Sequence, residues 1–261
     1  MRRICLFAGF DKENKIQDYV VYLIKELSKI SDVYYMGNGA FPPDELFKIA
    51  PYTQMFYTKS HQMRDFGSWL YLIERLGWDK LAQYDELILC NDSIYGPITD
   101  LQDIFVQMER KGYDFWSITS DYEYNFHLHR YFMVFNNDVI KNEKFRNFWK
   151  SITYYYNVKN CEYELTPLLL NEGFIGNSYV RNFHKKNILQ SPREMVQNFS
   201  IPFVKVKNFL PQNAYTMGSG LSLRYKIRTL SDYDTKLINR NIARNHYPQS
   251  FSQRLASWTG L

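Results

Sequence analysis

The N-terminal half of this chain alternates short apolar runs with stretches whose apolar residues recur at helical spacing, and few folds accept that rhythm. Ile4 to Gly9 is apolar and closes on glycine; Val20, Leu23, Ile24, Leu27 and Ile30 then mark one helix face. Val33 to Met36 is a second strand-like run, ended by the turn chemistry of Gly37-Asn38-Gly39. Pro42-Pro43-Asp44 opens a short helix, and Thr53 to Tyr57 reads as a third strand. Phe66, Trp69, Leu70, Ile73 and Leu76 mark the next helix, Glu86 to Cys90 a fourth strand, and Ile98, Leu101, Ile104, Phe105 and Met108 a further helix. Strand–helix alternation predicts an α/β fold with a Rossmann-type, mostly parallel central sheet and helices on both faces. Right-handed crossovers then bring the carboxyl ends of the strands to one edge, where an open sheet of this kind holds its ligand.

The rhythm changes after residue 112. Asp114 to Thr119 and Tyr131 to Phe135 are strand-like, but a polar aromatic loop separates them instead of a helix. Phe145, Phe148, Trp149 and Ile152 form a helical stripe, and residues 162 to 172 read as another helix, with Pro167 in its first turn or kinking it. From about residue 200 the pattern weakens into a basic segment. The expected organisation is one domain over 1–200 and a helical extension over 201–261 packed on or near it. No run reaches the ~18 apolar residues of a membrane span. The apolar stretch at the N-terminus, which starts like a signal peptide, stops at Asp11 and reads as a buried first strand. Cys5, Cys90 and Cys161 form no CxxC pair, and Cys5 and Cys90, within apolar runs, read as buried thiols of a reducing compartment, which places the protein in the cytoplasm.

The segment richest in chemistry follows the fourth strand: Leu87-Ile-Leu-Cys-Asn91-Asp92-Ser93-Ile-Tyr95-Gly96-Pro97. An apolar strand here delivers one carboxylate and two small polar side chains to the ligand edge of the sheet. Asp92, with Asn91 and Ser93 beside it, can hold a hard divalent cation directly or through water, as a nucleoside diphosphate requires. The other reading makes Asn-Asp-Ser a cap for a helix beginning near Pro97.

These residues resemble the rhamnan synthesis protein F family, bacterial glycosyltransferases with a GT-A-like fold. The resemblance is carried by Tyr84-Asp-Glu-Leu-Ile-Leu-Cys-Asn-Asp-Ser-Ile-Tyr-Gly-Pro97, Asp114-Phe-Trp116, His127-Leu-His-Arg-Tyr-Phe-Met-Val-Phe135 and Phe145-Arg-Asn-Phe-Trp149. Arg64-Asp65-Phe66-Gly67-Ser68-Trp69 is similar to the family's Gly-x-Asp-Phe-Gly segment, and Phe7-Ala-Gly-Phe-Asp11 to its first strand. Where the family tends to carry Gln-Ser before the Tyr-Phe strand, this chain has His129-Arg130. The resemblance implies that Asp92 stands for the Asp-x-Asp motif, lacking its second carboxylate, and binds Mg2+ or Mn2+. It implies that Asp65 and Gly67 line the donor pocket and that Gly9, Phe10 and Asp11 approach the nucleotide base. It further implies transfer of a sugar, rhamnose from its dTDP donor, onto a polysaccharide or lipid-linked glycan.

Glu162-Tyr-Glu164-Leu-Thr-Pro-Leu-Leu-Leu-Asn-Glu-Gly173 is similar to the acid-then-helix segment that supplies the base in inverting GT-A enzymes. Glu162 takes that place, with Glu164 second; both also suit a first helical turn. His127 and His129 alternate on an extended segment, share one face, and are candidates for contact with acceptor, phosphate or metal. Trp116 and Tyr131 are candidate sugar-stacking rings or core aromatics, and His184 lies in a basic turn that either meets a diphosphate or is simply solvated. The net charge of +5 selects no partner by itself. Its cations are not interleaved with aromatics as in a nucleic-acid site, so nucleic acid is not expected. Partial amphipathicity of the basic C-terminal segment suits contact with anionic lipid at the inner membrane face. A catalytically silent GT-A-like scaffold is the other function class, motivated by the incomplete Asp-x-Asp.

Overall fold

The computed structural model describes residues 1–122, 124–152, 155–180, 191–209 and 214–245. The alternation resolves into β1 (Arg3–Gly9), α1 (Asp18–Ser28), β2 (Asp32–Gly37), α2 (Pro43–Phe47), β3 (Met55–Thr58), α3 (Arg64–Leu76), α4 (Trp78–Leu81), β4 (Glu86–Asn91), β5 (Ile94–Tyr95) and α5 (Leu101–Lys111). Beyond it come β6 (Phe115–Asp121), β7 (His127–Leu128), β8 (Phe132–Asn136), α6 (Asn137–Lys141), α7 (Glu143–Ser151), α8 (Tyr155–Asn171) and β9 (Gly176–Val180). The final elements are α9 (Pro192–Phe199), β10 (Val204–Lys205), α10 (Ala214–Leu230) and α11 (Lys236–Asn245).

The main sheet runs β3-β2-β1-β4-β8-β6-β7, with β9 also on β6. β1 to β4 pair in parallel, β8 runs antiparallel to both β4 and β6, and β9 is parallel to β6. Every residue of β4 is buried, as expected of a central strand covered on both faces. Side-chain alternation sorts the core in two. Cys5, Phe7, Ile88 and Cys90 pack toward α1 and α5, whereas Ile4, Leu6, Leu87 and Leu89 pack toward α3, α7 and α8. After β1 the chain winds outward through β2 and β3, then returns to the other side of β1 as β4. The winding direction therefore reverses between β1 and β4, and the crevice beyond their carboxyl ends, at Gly9 and Asn91, is the ligand position of such a sheet.

Three local expectations shift. The helix foreseen near Pro97 begins at Leu101, because β5 intervenes and Asp100 is the cap, its Oδ1 accepting from the Gln102 amide at 2.8 Å. α8 begins at Tyr155, before Glu162, so Pro167 lies inside the helix and not in its first turn. Past residue 200 the chain is not peripheral at once: β10 pairs antiparallel with β5, and Ile201, Phe203, Val204 and Phe209 are buried in the same core cluster as β1. His184 lies outside the described residues. Among those residues no helix is long and apolar enough to cross a membrane.

Gly9 ends β1 under the ring of Tyr35. A Cβ built there would sit 2.2 Å from the Tyr35 hydroxyl oxygen and 2.6 Å from its ring carbons. Gly9→Ala must therefore displace a fully buried tyrosine. A loss of about 1–3 kcal/mol is expected, read as a lower urea midpoint with an unchanged slope.

Candidate active site

At the carboxyl edge, β4 hands the chain to Asp92, and this residue is tied to the end of β1. Its Oδ2 accepts from the Phe10 amide at 2.5 Å, its own amide donates to the Ala8 carbonyl at 3.3 Å, and its carbonyl accepts from the Tyr19 hydroxyl at 2.8 Å. The carboxylate caps no helix. Burial pushes its pKa up to about 7; the Phe10 N–H pulls it down, and the negative charges of Asp65 and Asp11 raise it again. Of the loop opposite, Phe10 is 59% exposed, and Asp11 is gripped by both terminal nitrogens of Arg244 on α11, at 2.9 and 3.1 Å.

From Asn91 a chain of polar contacts crosses the edge. The Asn91 amide nitrogen donates to Asp65 Oδ2 at 2.8 Å, while its oxygen accepts from the Ser93 amide at 3.1 Å and the Ser93 hydroxyl at 2.6 Å. Asp65 Oδ2 also accepts from Arg130 Nε at 2.9 Å. Arg130 Nη1 then donates to Glu162 Oε2 at 2.6 Å, and its backbone amide to Glu162 Oε1 at 3.1 Å. At the other end, Lys205 Nζ donates to Ser93 Oγ at 3.1 Å and stands 4.3 Å from the centre of the Tyr131 ring. Burial lowers the Lys205 pKa to about 8. Lys205–Ser93–Asn91–Asp65–Arg130–Glu162 thus forms one continuous line of charges and dipoles drawn from β10, β4, α3, the β7–β8 turn and α8. Asp65 Oδ1 is buried on this line without a hydrogen-bond partner.

Beside the line lies a buried polar layer on β6 to β8. Thr119 Oγ1 is 2.8 Å from His129 Nδ1 and 2.7 Å from the Tyr131 hydroxyl. His129 Nε2 is 3.9 Å from Asp121 Oδ2, a buried oxygen with no hydrogen-bond partner. Burial, reinforced by Lys205 and His127, holds the His129 pKa well below its ordinary value, so the ring is neutral near pH 7. The His127 ring contacts that of His129, with Nδ1 3.0 Å from the Asn125 carbonyl and an edge-to-face contact with Tyr163.

The expected site residues therefore divide. Gly9, Phe10, Asp11, Asp65, Asn91, Asp92, Ser93 and Glu162 are brought to the edge, and His129 stands next to it. Trp116 is not: it is 3% exposed and packed against Phe105 and Phe132 within the core, so no sugar can stack on it. Its parity on β6 turns it into the α5 side. Glu164 is exposed, two residues along α8 from Glu162 and so turned away from it. Gly67 lies within α3, where a Cβ would meet Met63 Cβ at 2.5 Å and His61 Nδ1 at 2.8 Å; it lets the 61–63 loop close onto the helix. Arg130 and Lys205 were not foreseen. A lone lysine inside Phe203-Val-Lys-Val206 was the available signal for the second, and the His129-Arg130 departure for the first.

A divalent cation would find Asp92 as its protein carboxylate here, with one oxygen already bound to the Phe10 amide. Asp65 and Asp11 are held by Arg130 and Arg244, and among the described residues no three Asp, Glu, His or Cys side chains are grouped to hold a metal. The donor set does not fit a metal cage built by the protein.

The fold is that of known glycosyltransferases. Glycosyltransferase GlyE of Streptococcus pneumoniae TIGR4 superposes with a TM-score of 0.50 at 14% identity, over 95% of this chain and 65% of GlyE, so this chain spans 65% of that protein's length. Galactosyltransferase LgtC, solved with donor and acceptor sugar analogs, gives 0.41 at 9% identity over 90% of this chain and 98% of LgtC. Core-mannan synthase A from Aspergillus fumigatus, in its Mn/GDP form, gives 0.34 at 9% identity over 56% and 63%. These two lower scores add no weight. No curated protein matches the sequence. The model of one family, described as rhamnan synthesis protein F, matches residues 33–257, well over half of the chain. With its GT-A-like α/β fold, this chain belongs to the rhamnan synthesis protein F family.

Proposed function

We propose that this chain is a glycosyltransferase that moves a sugar from a nucleoside-diphosphate donor to a glycan acceptor. The observation that carries the reading is Asp92: a carboxylate at the reversal point of a GT-A-like sheet, facing the loop Gly9-Phe10-Asp11 and flanked by Asp65. In finer terms, the donor is dTDP-rhamnose, the acceptor a growing surface polysaccharide or its lipid-linked precursor, and the reaction inverts the anomeric carbon. The protein works at the cytoplasmic face of the membrane. Tyr233, Leu237 and Ile238 of the basic C-terminal segment are buried in the core, so contact with anionic lipid falls to the side of α10 on which Leu221, Tyr225 and Arg228 are exposed.

Inversion needs one group to take the acceptor's proton as the hydroxyl attacks. Glu162 is assigned this role. Both its oxygens are held by Arg130, so arrival of the donor diphosphate must draw the guanidinium away and free the carboxylate. Asp121 is the second candidate, favoured by its unpartnered buried oxygen beside His129.

A panel of nucleotide sugars, assayed for transfer and hydrolysis with wild type, Glu162→Gln and Asp121→Asn, tests this. The expected result is turnover with a deoxyhexose donor, lost by about 100-fold or more in Glu162→Gln with donor binding retained. Loss in Asp121→Asn alone would move the base to that residue. Donor binding without turnover anywhere on the panel would mark the chain as a silent scaffold.

A further inference from the structure

Lys205 ends the polar line at the sheet edge opposite to Glu162. β10 is only two residues long, yet its pairing with β5 sets Lys205 opposite Ile94, and the Val206 amide donates to the Ser93 carbonyl at 2.9 Å. The lysine is thereby fixed to the same loop that carries Asp92. The half-buried side chain donates from its ammonium to Ser93 Oγ and faces the Tyr131 ring, and desolvation lowers its pKa. Asp65 and Glu162, the carboxylates whose charge acts on Lys205, are engaged by Arg130, and among the described residues no carboxylate forms an ion pair with it. An ammonium so placed is costly unless an anion meets it. It has three N–H donors, of which Ser93 takes one.

We infer that Lys205 is the group that neutralises the leaving nucleoside diphosphate, so that transfer at this site needs no divalent cation. The inference rests on the glycosyltransferase reading above and deepens it. In the step concerned, the acceptor oxygen bonds to the anomeric carbon as the bond from that carbon to the diphosphate oxygen breaks. The electron pair remains on the phosphate, the hydroxyl proton passes to the base carboxylate, and no redox change occurs. Charge builds on the departing oxygen, where the ammonium of Lys205 donates a hydrogen bond that strengthens along the reaction. The engagement of Asp65 and Asp11 by arginines, and the absence of a group of three metal-ligating side chains among the described residues, fit this division of labour. A lysine acts here as a compact point charge, a role that arginine fills only in part.

Two arms test it. In the first, turnover is measured after EDTA treatment, in wild type, Lys205→Ala, Lys205→Met and Lys205→Arg. Wild-type turnover should survive chelation within about twofold, whereas the Ala and Met variants should lose about 100-fold in kcat, with Arg recovering part of the loss. In the second, metal-free calorimetry follows binding of dTDP and UDP against thymidine and uridine. Lys205→Met, which keeps the length of the side chain should Ala disturb the fold, should weaken the diphosphates by more than about tenfold and leave the nucleosides unchanged. Turnover abolished by EDTA and restored by Mn2+ or Mg2+ would overturn the inference while leaving the glycosyltransferase reading intact. Lys205→Met that binds dTDP and UDP like wild type would overturn it too. If wild type turned over no donor, the glycosyltransferase reading would fail, and the binding arm alone would decide whether Lys205 holds a diphosphate.

Discussion

Asp92→Asn should give a protein that is more stable than wild type above neutral pH and that no longer transfers sugar. Burial holds the folded-state pKa of Asp92 at about 7, against ~3.9 in an unfolded chain. The folded protein therefore binds this proton more tightly than the unfolded one. The stability that the proton contributes is fully present below about pH 4 and is lost as pH rises through 7. At about pH 8 the ionised carboxylate weighs against folding by something on the order of 3–4 kcal/mol. Asparagine keeps an oxygen for the Phe10 amide and removes the charge that Asp65 and Asp11 oppose. Part of the gain is given back, because its new NH2 needs a partner at a site with few acceptors free. A net increase of about 1–3 kcal/mol at pH 8, shrinking toward zero near pH 5, is expected from urea titrations of both proteins. Turnover should fall about 100-fold or more, the scale of losing one preorganised charge at a reacting centre. A stability difference that ignores pH would mean that Asp92 is solvated, and full activity would remove it from the site.

Destabilised carboxylates of this kind are kept where function needs them. The same trade explains what could be read from the sequence. β1 and β4 are legible because strands buried on both faces must be apolar throughout, and their glycine and Asn-Asp-Ser endings mark the edge. The helices α1, α3 and α5 are legible because each has one buried stripe. β5, β7 and β10 hold two residues each, too few for any period to show, and their pairing is fixed only by tertiary contact. This is why Lys205, more than 100 positions from Ser93, cannot be placed beside it from spacing alone. Trp116 illustrates the opposite error. Its ring is of the type that stacks on sugars, but strand parity, fixed by pairing with β8, turns it into the core. Glu162 and Glu164 likewise stand along the sequence as first and second candidates for one role, yet on a helix two residues apart means nearly opposite faces, and Glu162 is the one that faces Arg130.

Removing Arg130 should be the most damaging single change at the site for stability. Its guanidinium touches two carboxylates that come from distant parts of the chain, and all three side chains are shielded, at 26%, 13% and 15% exposure for Arg130, Asp65 and Glu162. Arg130→Ala strips both acids at once. Asp65 already has one oxygen without a partner, and would keep only Asn91 on the other. Breaking a shielded pair by deleting one partner costs about 3–5 kcal/mol, because a charge is left behind unpaired. At the lower figure, which suits a partly exposed guanidinium, the melting temperature of a chain this size should fall by about 6–12 °C. The loss should come from the abandoned charges and not from the missing arginine as such. Arg130→Ala combined with Asp65→Asn and Glu162→Gln should therefore recover much of the stability, since neutral replacement of a whole buried ionic set is often tolerated. A double-mutant cycle between Arg130→Ala and Glu162→Gln should give a coupling of about 1–3 kcal/mol. If instead the losses simply add, the short Arg130–Glu162 contact carries no energy, and the ion pair that keeps Glu162 from acting as a base before the donor arrives must be abandoned with it.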